Sequence, residues 1–518
     1  MAQATLSRLS RIALGIVVSA APAIVTCALL ARMFDATIFD YFPWSSDEIA
    51  YQRQIAAFVK TGFNGGYFNV LEQPAPFSGT HFSLHGPAFP LIYGLMGRFA
   101  GWELYSGPIF NLVVLALAIT VFLVVGRLSR LQILLAGAVL LTSWWVLLMA
   151  SSTMQESLNQ AVMIAIAGCA ARVMRDDTPH RGRLLLISLV VLAAASVLRP
   201  TNWIVAVPLV LLGMPTQRPL RAALAAGVAA LGIPFFWLLW RYLSAPIPDL
   251  KIEWAPTTSS GSLGMVVNYF FDQLEENAEI FDLTTLRQAP FVQHVMFESV
   301  AVMAACVLLA AIAWRRRPAV PTALKADLFV VLALGLALVG FLGFYFDSDA
   351  SISRVTAPFL LLSLLVLVAS RVRTWIVLGV IAANLLVTPS FVVAYRAWRT
   401  DLFRHDLSRY DQFRAQLTAV LAFDPRRTPW CNTLLTTTYE REIVAVPAGV
   451  GIVVARPAAN LVPPIKSGYV LLTPNSVADF GDKAHLQPLA RTVLGELYIN
   501  RDAACDPAGT ATDTSLAH

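Results

Sequence analysis

Long apolar runs separated by short basic turns occupy most of the first 394 residues. The runs fall at 12–31, 106–126, 131–149, 157–173, 184–198, 203–214, 222–243, 297–314, 328–346, 355–370 and 374–394. A bilayer core of roughly 30 Å takes about 20 apolar residues as helix, and somewhat fewer where neighbours shield the ends. The pattern therefore predicts an all-α polytopic membrane protein of about eleven transmembrane helices over residues 1–394, with long loops at 33–105 and 244–296. The first run is longer than the roughly 7–15 apolar residues of a secretory signal. It is read as an uncleaved span, although the Ala-rich residues 20–23 would suit a cleavage site.

The pattern changes after residue 394. Between 401 and 421, Leu402, Leu407, Tyr410, Phe413, Leu417, Val420 and Leu421 recur at helical spacing with charges between them. Residues 433–437, 452–455 and 469–473 then read as short buried strands set apart by Pro and Gly. Residues 395–505 are thus expected to form a small α/β domain, and the small, polar stretch 506–518 a disordered tail.

Composition and charge agree with the membrane reading. Hydrophobic residues make up 57% of the 518 and charged residues only 14%, against roughly a quarter charged in water-soluble proteins. The net charge of +6 does not point to nucleic acid, because the basic residues flank the apolar runs. With a cytoplasmic N-terminus, the inner loops hold Arg8 and Arg11, Arg127 and Arg130, and Arg175, Arg181 and Arg183. They continue with Arg218 and Arg221, Arg315 to Arg317 with Lys325, and Arg371 with Arg373. Short loops rich in Lys and Arg stay inside. The reading is a multi-pass protein of a bacterial inner membrane, its C-terminal domain extracytoplasmic. Cys27, Cys169 and Cys306 fall in the runs. Cys431 and Cys505 fall in the outer domain, where an oxidising compartment predicts a disulfide between them.

No apolar run has Asp, Glu, Lys or Arg near its centre, which argues against an ion-coupled carrier. The polar chemistry sits at the outer ends. The first outer loop contains Trp44-Ser45-Ser46-Asp47-Glu48-Ile49-Ala50-Tyr51 and, later, LHGPAFPLIYGLMGRFAG over residues 84–101. Asp47 and Glu48 fit the first turn of a helix, where carboxylates are stabilised. A carboxylate placed there is equally suited to act as a general base. Glu156, in the turn Ser151-Ser152-Thr153-Met154-Gln155-Glu156, has the same two readings. Arg199 and Arg354 are the two basic residues in the short outer turns. They either snorkel to headgroups or bind an anion, since guanidinium matches phosphate geometry.

The order of a first span, an outer-loop Asp-Glu-x-x-Tyr and an aromatic helix ending in Gly resembles the GT-C superfamily of membrane glycosyltransferases. The likeness is to the group of dolichyl-phosphate-mannose protein mannosyltransferases and lipid A aminoarabinose transferases. It runs to about residue 214, with similar span architecture to about 394, and departs at Gly86, where the family has the first Pro of a pair. The resemblance implies that Asp47 is the catalytic carboxylate, assisted by Glu48 and Glu156. It also implies that His85 occupies a cationic position facing the donor phosphate, with Arg199 and Arg354 as further phosphate contacts. The implied activity moves a sugar, hexosyl or pentosyl, from a polyprenyl-phosphate donor to a lipid, glycan or protein acceptor on the outer face, with inversion. No cofactor is implied, and two separated carboxylates leave a divalent metal open. A lipid-linked glycan flippase and a non-catalytic scaffold are the rival readings.

Overall fold

Each of the eleven apolar runs is helical over nearly all of its described residues in the computed structural model. The structure describes residues 2–44, 46–63, 65–66, 68–70, 86–244, 263–282, 290–316, 322–344, 350–403, 407–438, 440–455, 465–474 and 485–503. His85, Cys505 and the stretch 506–518 lie outside them. In chain order the helices are α1 (Ala2–Phe34), α2 (Ser46–Thr61), α3 (Ala88–Ala100), α4 (Ser106–Gly126), α5 (Arg130–Thr142), α6 (Trp144–Ala150), α7 (Gln155–Val173), α8 (Arg181–Leu198) and α9 (Ala206–Gly213). There follow α10 (Arg218–Gly227), α11 (Ile233–Leu243), α12 (Leu263–Ala278), α13 (Pro290–Arg316), α14 (Thr322–Phe344), α15 (Ala350–Ser370), α16 (Thr374–Leu386), α17 (Thr388–Phe403) and α18 (Ser408–Thr418). By length and composition seven helices among the described residues can cross a membrane alone, and up to nine if two bent pairs each count as one span. The bent pairs are α5 with α6, turned by 65°, and α16 with α17, turned by 56°. The two remaining runs differ for physical reasons. The stretch Pro200–Gly213 is short. Helix α7 opens with Gln155, Glu156, Ser157, Asn159 and Gln160, all buried, so it is lined by protein and not by lipid.

The chain divides into two compact units. The first comprises Met1–Tyr41, Pro108–Leu238 and Leu250–Phe403. At its centre α7 packs against α15, and nearly every side chain of both is buried. Small residues permit close crossings: a Cβ on Gly168 would stand 2.9 Å from the carbonyl oxygen of Phe122 in α4. Turns expected on the cytoplasmic side meet one another. Lys325 Nζ lies 2.8 Å from Asp176 Oδ1, Arg181 lies 2.9 Å from the same carboxylate, and Arg373 lies 2.8 Å from Asp327. These ion pairs gather the basic turns at one place in the unit.

The second unit comprises Phe42–Gly107, Leu239–Asp249 and Arg404–His518. Its six-stranded sheet has the order β1-β3-β2-β4-β6-β5, with β1 (Phe68–Val70), β2 (Thr433–Thr436), β3 (Gly451–Val454), β4 (Tyr469–Leu472), β5 (Leu486–Arg491) and β6 (Glu496–Asn500). Neighbours are parallel from β1 to β4, and antiparallel from β4 through β6 to β5. Alternate side chains supply two cores, as the two-residue period of a strand requires. Leu434, Ile452 and Leu471 join Ile49 of α2 and Phe413 and Leu417 of α18, while Leu435, Val453 and Val470 fill the other face. The strands expected at 433–437, 452–455 and 469–473 are β2, β3 and β4. The edge strand β1 comes from the first long loop, so that loop is built into the sheet. Cys431, which opens β2 from its preceding turn, is disulfide-bonded, whereas Cys27, Cys169 and Cys306 are free thiols.

Candidate functional site

In the first unit the sequence breaks at Ser151–Thr153, where α6 ends and the chain turns before α7. That turn is held by buried polar contacts. Asn111 Nδ2 donates to the carbonyl oxygen of Ser152 (2.5 Å), and the Tyr41 hydroxyl accepts from Thr153 N–H (3.1 Å). Arg399 of α17 donates to Ser151 Oγ (3.1 Å) and to the Leu148 carbonyl at the end of α6, and Tyr395 sits 3.3 Å from the same hydroxyl. The turn fixes where α7 begins, and with it Glu156.

Glu156 is 1% exposed, and it meets both outer-turn arginines. Arg199 Nη2 lies 2.9 Å from its Oε1 and Arg354 Nε 3.2 Å from the same oxygen. The guanidinium side chains are 14% and 21% exposed. Arg199 owes its position to the end of α8. It is the extended C-cap residue before Pro200, which cannot continue the helix. Asn202 then turns back, donating to Asn159 Oδ1 (3.1 Å) and to the Ala195 carbonyl (2.9 Å). Two guanidinium groups thus converge on one carboxylate oxygen. Arg199 Nη1 is buried and has no hydrogen-bond partner among the described residues. A buried charged donor without an acceptor is costly, and an anion is its natural complement.

In the second unit Asp47 and Glu48 occupy the first turn of α2. Glu48 is buried and its Oε2 accepts from Trp44 N–H (3.2 Å), the capping role open to it. Asp47 is half-buried. The two segments that carry the family resemblance pack on one another. The ring of Tyr51 in α2 stands edge-on to Phe89 in α3 at 4.9 Å, and Phe89 lies 4.4 Å from Tyr93. A Cβ on Gly94 would come within 2.4 Å of the Phe58 ring, so glycine is what allows α3 to lie so close to α2. Gly86 has φ +70°, a left-handed conformation that favours glycine over the proline of the family pattern.

Sequence reasoning missed several residues. Arg53, one helical turn beyond Ile49, is buried and donates to the carbonyls of Val446, Pro447 (3.1 Å) and Val450 (3.0 Å), tying α2 to the segment before β3. Burial pulls its pKa down to about 10, and Tyr410 opposes that shift. Arg399 and Asn202 also organise the turns without a motif that marks them. Among the described residues no group of three or more His, Cys, Asp or Glu could hold a metal ion.

No family model and no curated protein matches the chain. Among solved structures it is similar to the crystal structure of ArnT from Cupriavidus metallidurans in the apo state, at 12% identity over 96% of this chain and 98% of that one, with a TM-score of 0.40. It is similar in the same degree to ArnT from Cupriavidus metallidurans bound to undecaprenyl phosphate, at 11% identity over 93% and 97% of the two chains, with a TM-score of 0.40.

Proposed function

We infer that this chain is a membrane glycosyltransferase that takes a sugar from a polyprenyl-phosphate donor and passes it to a hydroxyl on a lipid, glycan or protein. The observation that carries the reading is the pair Arg199 and Arg354 on Glu156, with the buried Nη1 of Arg199 lacking a hydrogen-bond partner among the described residues. A phosphate leaving group departs with two negative charges, and paired guanidinium groups suit it in geometry and charge. Glu156 then holds the two arginines in place, and its carboxylate is committed to them.

Asp47 is the proposed base, from its motif and its partly exposed position in the first turn of α2. In the proposed step the acceptor O–H gives its proton to the Asp47 carboxylate. The acceptor oxygen forms a bond to the anomeric carbon, and the bond from that carbon to the phosphate oxygen breaks with its electron pair going to phosphate. Attack opposite the leaving group inverts the anomeric centre. Glu48 serves Asp47 by holding the helix start.

A lipid-linked glycan carrier is the second reading, and one observation favours it: the buried acid Glu298 lies two turns inside α13. The apolar run at 297–314 begins one residue before it, whereas the helix begins at Pro290. The bundle therefore has an internal acid that the runs alone did not reveal. Mass spectrometry of glycolipids and envelope proteins from a deletion strain tests the function directly. A missing sugar of defined mass is expected. Purified protein separates the two readings, because an enzyme turns over in detergent and a carrier without a membrane barrier does not.

A further inference from the structure

Within the first unit, α6, α7, α13, α15 and the end of α16 enclose a cavity. It lies at both helix breaks. Ser143, the residue between α5 and α6, lines it, and so does Asn384 in the last turn of α16. The breaks are clasped together, with Trp144 Nε1 donating to the Asn384 carbonyl (2.8 Å) and its ring stacked on Phe391 at 4.4 Å. A break takes the last-turn carbonyls of a helix out of a continuous ladder, which makes such places suited to ions in a membrane.

Two side-chain oxygens lining the cavity are buried without a hydrogen-bond donor among the described residues. Glu298 is 9% exposed, and its Oε1 accepts no hydrogen bond from a described residue. Gln160, 1% exposed, gives its Nε2 to the Trp145 carbonyl (3.3 Å), which leaves its Oε1 buried and without a donor. Two buried acceptors line one cavity, and one of them is a carboxyl group. Among the described residues, His294, one turn from Glu298 on the same helix, is the other ionisable residue lining it, and no Lys or Arg does so. A buried carboxylate is unfavourable without a cation to offset it.

We propose that this cavity is an intramembrane binding site for a monovalent inorganic cation of the sodium class, with Glu298 and Gln160 as its oxygen ligands. Hard oxygen donors suit such an ion. Charge decides the valence, because one carboxylate neutralises one positive charge, whereas a divalent ion would keep an uncompensated charge in a low dielectric and normally takes several carboxylates.

The test uses the full chain in lipid nanodiscs at fixed pH and ionic strength, with sodium chloride exchanged for choline chloride. A hydrophobic carbodiimide modifies buried protonated carboxyl groups, and peptide mass spectrometry reads its attachment to Glu298. Sodium at about ten times its dissociation constant leaves about a tenth of sites free, so labelling slows roughly tenfold relative to choline. Gln160→Leu, which keeps the labelled carboxyl, weakens that protection. Sodium also raises the melting temperature of wild type and leaves Glu298→Gln unmoved. Equal labelling of wild type in sodium and choline with no shift in melting overturns the proposal, as does protection by calcium or magnesium alone. The wild-type labelling decides the matter even if a variant fails to fold.

Discussion

Glu156 and Glu298 are both buried acids in helices of the same unit, and their surroundings are opposite. Glu156 has two guanidinium groups on one oxygen, at 2.9 and 3.2 Å. Glu298 faces a cavity that also holds the buried, unsatisfied Oε1 of Gln160. The first is an acid held by two cations, one of which keeps a buried N–H without an acceptor among the described residues, and it calls for an anion. The second is an acid whose Oε1 has no partner among the described residues, and it calls for a cation. Burial alone does not tell what a carboxyl group does in a membrane; the sign of what it meets does.

The largest effect expected anywhere in the molecule is on turnover. Asp47→Asn keeps the shape and the helix-start chemistry of α2 but cannot accept a proton, so sugar transfer is expected to fall by about 10²–10⁴-fold. Donor binding by the same protein should change little, which separates chemistry from affinity. Glu48→Gln is expected to be milder. A folded Asp47→Asn protein that transfers sugar within a few-fold of wild type would leave Asp47 as a helix cap.

The contrast between the two buried acids should appear in stability with opposite sign. Glu156→Gln strips the counter-charge from Arg199 and Arg354, and breaking a buried pair costs about 3–5 kcal/mol. Its melting temperature in nanodiscs should drop clearly. Glu298→Gln in sodium-free buffer replaces an unpaired acid with its neutral isostere, so its melting temperature should equal or exceed that of wild type. Equal losses in both variants would break the comparison.

A smaller effect belongs to the second unit. Reducing the disulfide at Cys431 should destabilise the sheet by about 2–4 kcal/mol, read as earlier proteolysis of residues 404 onward. Peptide mapping of unreduced protein is expected to link Cys431 to Cys505.

Much of this architecture is legible in the sequence, because a lipid environment demands long apolar runs and sorts basic turns by side. Arg199 and Arg354 stood out as the basic residues of the short outer turns and Glu156 as an acid at the start of a span, and the structure brings all three together. Glu298 was hidden by the same logic. It opens an apolar run, so it reads as a boundary residue until the helix is seen to start at Pro290. The edge strand β1 was hidden too, since three residues, Phe68–Val70, carry no period of their own and gain strand form only by pairing with β3. Arg53 and Arg399 act on backbone carbonyls far along the chain, at 446–450 and at 148, and no local pattern announces such contacts.

The central claim is that the cluster on Glu156 receives a lipid phosphate. The direct measurement is the affinity of purified protein in nanodiscs for undecaprenyl phosphate, by native mass spectrometry, in wild type, Arg199→Ala and Arg354→Ala. A charge-assisted contact to phosphate is worth about 1.5–3 kcal/mol, so each substitution should weaken binding about ten- to hundredfold. Arg199→Ala should cost the more, since Arg199 is the less exposed of the two. Wild-type affinity in both folded variants would contradict the account and leave these arginines as no more than the partners of Glu156.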